Sequence, residues 1–402
     1  MSGVNDGRAR PAMAETATVH KTYKYRLKPT PAQGAVLENV LWRCRTLYNA
    51  ALEQRTIWWQ REQGRAATYY QQKAELPDIK AALPEYAEVN AQVLQDVMLR
   101  VEKAFQAFFR RVKAGETPGH PPFQGRNRYN SFTYPQVGEH GAARLDNGFL
   151  VLSKIGRLMV RWSRPLEGSP KTVTISREAD GWYVCFSCAE VPTQPLTLTG
   201  HETGVDLGLE SFATLADGSQ IANPRIFRVA ELNLKRAQRR VARRKKGSHR
   251  RRKAVVLLSK AYQTVERQRT DFHHKTALAL VRDYDTIYVE DLRVANMVRN
   301  HALAKSISDA GWGQFCAILA FKAAYAGKRA VAVPPAFTSQ SCSGCGALVQ
   351  KGLSVRWHTC PDCGTSLHRD HNAALNILRR GQQSGLGQSP QALTEPVGAD
   401  VA

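Results

Sequence analysis

Apolar and polar positions change their period several times along this chain, and each change marks a different kind of element. From His20 the residues alternate, with Tyr23, Tyr25 and Leu27 set against Lys24, Arg26 and Lys28. Period two predicts a strand with one basic face. Pro29-Thr30-Pro31 stops it, and Thr30 is placed to cap a helix with Pro31 in its first turn. Val36, Leu37, Val40, Leu41 and Leu47 then recur at helical spacing. Helical patterns continue through residues 50–115, where Pro77 and Pro84 bracket a short helix. Between Val89 and Arg111, the residues Val93, Val97, Val101, Ala104, Phe105 and Phe108 form one apolar face of a longer helix. Over residues 132–192 the period returns to two. G-F-L-V-L-S, L-M-V-R-W and T-V-T-I-S-R predict short strands, and Asp180-Gly181 predicts a tight turn into W-Y-V-C-F-S-C. A small antiparallel sheet or barrel is expected there.

Pro192 to Gly200 reads as a linker, after which the pattern changes again. H-E-T-G-V-D-L-G-L-E-S-F-A-T-L-A-D-G-S predicts two tightly joined strands. The region from Glu231 to Arg269 is helical and strongly basic, and Gly247-Ser248 interrupts it, so two helices meeting at a hinge are expected. F-H-H-K-T-A-L-A-L-V carries the helical pattern on. Y-D-T-I-Y-V-E-D-L predicts a strand ending in Glu290, Trp312 to Ala326 a helix, and R-A-V-A-V-P-P another strand. Asn372 to Ile377 predicts a last helix that starts near Asp370.

Charge adds a partner to this outline. The 402 residues hold 57 Lys plus Arg against 34 Asp plus Glu, a net charge of +23. Such an excess favours a polyphosphate backbone, with counterion release driving affinity. No apolar run is long enough to span a bilayer, and no basic helix has an aromatic face, so no membrane partner is expected. The N-terminus has no apolar signal core, so secretion is not expected. Three places concentrate candidate nucleic-acid contacts: Lys24 and Arg26 on the first strand, Arg126 and Arg128 in the Pro- and aromatic-rich loop P-G-H-P-P-F-Q-G-R-N-R-Y, and Arg239, Arg240, Arg243, Arg244, Lys245 and Lys246 in the basic helices. Interleaved rings and guanidiniums suit stacking on bases with neutralisation of phosphates; a surface loop anchored by buried rings is the alternative reading.

The cysteines bring metal chemistry. Of eight, Cys342/Cys345 and Cys360/Cys363 form two C-x-x-C-G knuckles separated by 14 residues. Four thiolates complete a tetrahedron around a structural Zn²⁺ without further ligands. Cys185 and Cys188 share the C-x-x-C spacing but lie in a strand, where residues three apart point to opposite faces, so they read as buried free thiols. Three acids stand out against apolar surroundings. Asp206 sits between Val205 and Leu207 in a strand, where a carboxylate is costly unless paired or metal-bound. Glu290 ends another strand, with Asp291 beside it expected to face the other way. Asp370 opens the last helix, a position where it could equally be a cap. One Asp in a strand, a Glu at a second strand's end and an Asp at a later helix start is the layout of an RNase H-like nuclease. Such a site holds two Mg²⁺ ions about 4 Å apart for in-line attack on a phosphodiester.

The motifs Y-K-Y-R-L-K-P-T, R-x-L-Y-N-A-A-L, G-V-D-L-G-L, Q-R-R-V-A-R-R-K-K-G-S, V-E-D-L, T-S-Q-S-C-S-G-C-G, C-P-D-C-G and H-R-D-H-N-A-A-L-N-I closely resemble those of the TnpB family, transposon-associated RNA-guided DNA endonucleases related to compact type V CRISPR nucleases. The resemblance spans roughly residues 20–380. It implies a multidomain α+β fold: an RNase H-like (RuvC) α/β nuclease core with a zinc-ribbon insert, plus a small antiparallel β-barrel (wedge) domain carrying a helical recognition insertion. The implied boundaries are a disordered terminus over 1–19, a wedge over 20–40 and 120–195, recognition helices over 41–119, RuvC over 203–335 and 366–380, a zinc-ribbon target-nucleic-acid-binding insert over 336–365, and a disordered tail over 381–402. The family's acids map to Asp206, Glu290 and Asp370, with Mg²⁺ or Mn²⁺ as catalytic ions. Many members have Asp where this chain has His368; the last Asp of the motif is taken as catalytic, so the triad is intact. The implied partners are a guide RNA derived from the transposon end and double-stranded target DNA, found beside a short target-adjacent motif, for a monomeric, cytoplasmic and nucleoid-associated prokaryotic protein. A non-catalytic nucleic-acid-binding regulator and a carboxylate-dependent transposase are the alternatives to an RNA-guided endonuclease.

Overall fold

The computed structural model describes residues 17–61, 67–126, 128–352 and 354–384. Most of the two expected disordered ends, residues 1–16 and 385–402, lies outside those residues. Within them the chain forms two compact units that divide between Pro192 and Thr193.

The unit Thr18–Pro192 begins with β1 (Thr18–Leu27), two residues earlier than the alternation suggests. Tyr23, Tyr25 and Leu27 are buried while Lys24 and Arg26 face out, as period two requires. Thr30 and Gln33 then cap the long helix α1 (Pro31–Arg61) reciprocally: the Thr30 hydroxyl accepts from the Gln33 N–H, and the Gln33 side chain accepts from the Thr30 N–H. α2 (Tyr69–Ala74) and α3 (Leu76–Ala82) follow, with Pro77 in the first turn of α3. α4 (Ala91–Lys113) buries Val93, Val97 and Val101 at successive four-residue steps, and the Asn90 side chain caps it. Six further strands are β2 (Ser131–Tyr134), β3 (Ala143–Asp146), β4 (Phe149–Leu152), β5 (Gly156–Arg161), β6 (Ser169–Glu178) and β7 (Gly181–Pro192). With β1 they form a curled antiparallel sheet in the order β2-β6-β7-β1-β5-β4-β3. The expected barrel is thus not closed by a hydrogen-bonded ladder. Its end strands β2 and β3 are joined through residues 135–142, which contain Pro135, Gly138 and Gly141 and contribute a single bridge, Val137 to Ala143. Proline lacks the donor a ladder needs, and the glycines favour turns.

The second unit is built on a mixed five-stranded sheet in the order β10-β9-β8-β11-β12. These strands are β8 (Glu202–Leu207), β9 (Ser211–Leu215), β10 (Gln220–Ala222), β11 (Thr286–Glu290) and β12 (Arg329–Val333). β8, β11 and β12 run parallel, and β9 and β10 are antiparallel to their neighbours. Two long helices, α5 (Ile226–Ala242) and α6 (His249–Asp283), connect the antiparallel edge back to β11 and meet at the expected break around Gly247-Ser248. The short helices α7 (Val294–Met297) and α8 (His301–Ala310) lead to α9 (Trp312–Tyr325), and α10 (Arg369–Ser384) ends the described chain. α10 starts beside Asp370 and runs seven residues past Ile377, where the sequence pattern placed the end of the last helix.

Strand alternation sorts the side chains of this sheet. Val205, Leu207, Ile287 and Val289 enter one core with Ala277, Leu280 and Val281 of α6 and Trp312, Phe315 and Leu319 of α9. Burying each large apolar side chain contributes about 1.5–3 kcal/mol. The alternate positions face α10: Tyr288, Val331 and Val333 pack with Ile377 and Leu378. Two glycines set how closely this helix approaches. A Cβ at Gly204 would meet the Ala374 carbonyl at 2.2 Å, and one at Gly381 would meet the Tyr288 ring at 2.0 Å. Residues 193–200, expected as a linker, are pinned to this unit: the Gln194 and Leu196 N–H groups donate to the Tyr325 and Ala326 carbonyls, and those of Thr199 and Gly200 to the Asp285 carboxylate.

Candidate active site

The strand register brings two of the acids together. Val205 pairs with Val289 across the parallel β8–β11 ladder. The next residue on each strand, Asp206 and Glu290, therefore stands beside the other at the strands' carboxyl ends, both on the face that carries α10. Asp370 lies in the first turn of α10, with its Oδ2 3.9 Å from the Cβ position of Gly208. Glu290 and Asp370 are buried, and Asp206 is partly exposed. Asp291 lies just past the end of β11 and is exposed, and its charge adds to the burial that raises the Cys316 thiol of α9.

The electrostatics report the same convergence. The Asp206 carboxyl is held well above the usual carboxylate range, first by burial and then by the negative charges of Glu290 and Asp370; Arg369 and Arg356 only partly offset this. Burial also raises Glu290, against a hydrogen bond from the Thr338 hydroxyl and the charge of Arg380. Three basic groups lie close to Asp370: Arg356 and His368 at 3.9 Å and Arg369 at 4.0 Å. Arg356 is at the same time ion-paired to Glu210. This is a set of hard oxygen ligands under mutual repulsion, which a divalent cation relieves, so the residues fit Mg²⁺ or Mn²⁺. The carboxylates are a looser group than the cysteines. Among the described residues, the four knuckle thiols bring their ligand atoms within 4.8 Å of one another.

Those thiols fit zinc. Cys342 and Cys363 sulfurs are 3.6 Å apart, as are those of Cys345 and Cys360. A tetrahedron with Zn–S near 2.3 Å requires S···S distances of about 3.8 Å; a disulfide would be near 2.05 Å. The hydroxyl and N–H of Thr365 lower the Cys363 thiol, while the neighbouring sulfurs of Cys363 and Cys360 raise that of Cys345, so the thiols share their protons as a group. Cys185 and Cys188 are free, on β7, with burial raising both thiols.

Polar side chains that pattern reading did not single out join the zinc knuckle to the acids. Asn372 and Asn376 lie one turn apart on α10. Asn372 accepts from the Ser343 N–H at 2.9 Å and donates to the Ser341 carbonyl at 2.7 Å. Asn376 donates to the Thr338 and Ser341 carbonyls at 2.8 and 2.7 Å. The loop 338–343 therefore carries Thr338 against Glu290 and Cys342 into the cluster while being fastened to the helix of Asp370. The i, i+4 asparagines were the available signal; the Arg356–Glu210 pair joins distant loops and left none.

The basic candidates are dispersed. Lys24 is ion-paired to Glu178 and lies 5.0 Å over the Tyr183 ring, and Arg26 donates to the Asp180 carbonyl at 2.8 Å. Arg126 and Arg128 are exposed on their loop. Arg239, Arg240 and Arg243 are exposed near the end of α5, Arg244 is half-buried, and Lys245 and Lys246 are exposed in the turn to α6.

Three family models match the chain: one described as "Probable transposase" over residues 186–301, one as "Cas12f1-like, TNB domain" over 312–377, and one as "Helix-turn-helix domain" over 13–64. In the last span the described residues fold as a strand and one long helix. A Streptomyces pristinaespiralis protein named "Putative RNA-guided DNA endonuclease" is 38% identical over 372 residues, 90% of this chain and 90% of that one. The chain belongs to the TnpB family. Its Escherichia coli relative, named "Putative RNA-guided DNA endonuclease InsQ", is 29% identical over 385 residues, 90% of this chain and 92% of that one. The fold of this TnpB chain is that of a solved structure described as "Cryo-EM structure of the Cas12f1-sgRNA-target DNA complex", with a TM-score of 0.54 at 14% identity, covering 90% of this chain and 98% of that chain. No helix among the described residues is long and apolar enough to cross a membrane.

Proposed function

We propose that this protein is an RNA-guided DNA endonuclease whose single nuclease centre is formed by Asp206, Glu290 and Asp370. The observation that carries the proposal is the convergence of these three carboxylates beside one sheet face, with Asp206 kept hard to ionise first by burial and then by the charges of the other two. The names of the relatives and the fold of the Cas12f complex support it. In this reading Thr18–Pro192 comprises a wedge sheet (residues 20–40 and 120–195) with recognition helices inserted over 41–119. The remainder is a RuvC-type, RNase H-like nuclease domain (203–335 and 366–380) interrupted by a zinc-ribbon insert (336–365). The partners are a guide RNA and double-stranded DNA carrying a short target-adjacent motif, and the protein acts as a monomer at the nucleoid.

Asp206, Glu290 and Asp370 would hold a pair of Mg²⁺ or Mn²⁺ ions. Bound there, the ions supply a nucleophile at neutral pH and charge stabilisation of the phosphodiester oxygens. The protein's own contribution is positional. Thr338 orients Glu290 through its hydroxyl. Arg356, held beside Asp370 by Glu210, offers a planar bidentate donor to a phosphate oxygen entering the site. The zinc cluster and the two asparagines hold loop 338–343 against α10, so Asp370 keeps its place relative to the strands. Base pairing to the guide carries sequence specificity, and the basic helices contact backbone.

The test is cleavage of a plasmid matched to the RNA that co-purifies with the protein, in Mg²⁺. Wild type should linearise it and Asp206→Ala should not. An intact matched plasmid with both proteins rejects the reading. Strand-transfer products on transposon ends without RNA would point to a transposase.

A further inference from the structure

Within the Thr18–Pro192 unit, α1 turns an unusual face outward. Glu38, Trp42 and Arg45 recur at i, i+4 and i+7 and so share one side of the helix. Trp42 is 51% exposed. With Asn39 they line a cavity of about 380 Å³ whose other walls are Arg126 and Tyr129 from the loop before β2 and Arg177 near the end of β6. Three separate elements build it, and two of its walls are fixed. Tyr129 is buried, its ring 5.8 Å from that of Tyr48. Arg177 donates to Glu38 at 2.6 Å, to the Arg126 carbonyl at 3.1 Å and to Asn130 at 3.2 Å. The one lining carboxylate is therefore already neutralised. No acid among the described residues pairs with the guanidinium of Arg45 or Arg126, and the cavity keeps a net positive charge.

We propose that this cavity is a subsite for one unstacked nucleotide of a single-stranded RNA or DNA segment, with the base against Trp42 and the flanking phosphate between Arg45 and Arg126. The proposal rests on the nucleic-acid reading above and adds a place and a ligand class to it. An exposed indole beside guanidiniums matches the two faces of a nucleotide, a flat π-surface and a dianionic or monoanionic phosphate. The volume lies at the small end of ligand pockets, which suits one nucleotide and excludes a duplex. Only an unstacked base offers its face, so the occupant comes from a single strand, a bulge or a strand end. Asn39 provides donor and acceptor groups for a base edge.

The test measures binding of full-length protein to three 15-nucleotide strands, an RNA, the DNA of the same sequence, and an abasic DNA backbone, across a range of salt concentrations. Trp42→Ala should weaken binding of at least one base-bearing strand about tenfold, the scale of one lost stacking contact. It should leave the abasic strand and the salt slope unchanged, and Trp42→Phe should restore most of the loss. The strand affected identifies RNA or DNA as the source. Arg45→Gln with Arg126→Gln should lower affinity for all three strands and make the salt slope shallower by about 0.7, the share of the one phosphate they hold between them. Trp42→Ala that melts like wild type and binds every strand as well as wild type overturns the subsite alone. Wild type that binds none of the strands overturns the subsite and the nucleic-acid reading together.

Discussion

At the scale of single residues, the candidate site trades stability for chemistry, and the trade can be measured. Asp206 and Glu290 both have raised folded-state pKa values, chiefly from burial. A carboxyl whose folded pKa is raised keeps a proton that the unfolded chain releases. Its stabilising contribution is complete below the ordinary value, about 4, and is lost as pH rises through the folded pKa. Asp206→Asn removes the charge at nearly constant shape. Without divalent ions it should melt at the same temperature as wild type near pH 4 and increasingly above it as pH rises. The expected gain is about 1–2 kcal/mol at neutral pH, a few degrees in Tm, while cleavage is abolished. Added Mg²⁺ should raise wild-type Tm and close the gap. A gap that stays flat with pH, or a variant that still cleaves, contradicts the site. Arg356→Ala gives a second residue-scale test. It should slow cleavage at least tenfold with little change in Tm, because the side chain is partly exposed and an exposed ion pair adds about 0–1 kcal/mol.

At the scale of elements, the prediction concerns how α10 is held over the sheet. The Cβ of Gly204→Val would occupy the space of the Ala374 carbonyl and Leu378 N–H, backbone atoms that cannot turn aside. The variant should lose about 3 kcal/mol or more, in the range of severe overpacking, and shed cleavage with it. Cys342→Ser acts from the other side of the same helix: loss of a thiolate should lower bound zinc, loosen loop 338–343, and reduce cleavage by displacing Asp370 and Thr338. Zinc content measured on the purified variant, with thermal melting, checks this; unchanged zinc and melting would contradict it. These elements also show what could be read from sequence. Val205-Asp206-Leu207 and Tyr288-Val289-Glu290 alternate plainly, so period two was enough to put both acids opposite the apolar core. The two C-x-x-C-G knuckles carried their own geometry. Gly204 lets the α10 backbone come close to β8, and which element would do so was not legible, because a strand pattern does not say what lies against its polar face. The buried asparagines of α10 and the open edge between β2 and β3 escaped for the same reason: each depends on chain that is distant in sequence.

At the scale of the whole molecule, a net charge of +23 has to be accommodated without a partner as well as with one. The hairpin of α5 and α6 does so by turning cations onto carbonyls: Arg251 donates to the Val241 carbonyl at 2.9 Å and to that of Arg244 at 3.2 Å, closing the end of α5. Its exposed neighbours Arg239, Arg240 and Arg243 make no such bond to a carbonyl among the described residues, and like charges on one helix repel by a few tenths of a kcal/mol per pair. An anionic backbone removes that repulsion. The change of pattern at Pro192 marked where the two units divide, but charge distribution alone does not say which basic surface meets nucleic acid. Salt dependence can. Arg239, Arg240, Arg243 and Arg244, all changed to Gln, should leave folding intact and make the slope of log affinity against log salt shallower by about three, at 0.7–0.9 per phosphate lost. Affinity for matched and mismatched strands should fall in parallel, because backbone contacts carry no sequence information. Cleavage measured at saturating protein and low salt should survive, separating this surface from Asp206, Glu290 and Asp370. A variant whose salt slope equals that of wild type would move the nucleic-acid path off α5, and one that loses cleavage under saturation would mean that these arginines serve the acids directly.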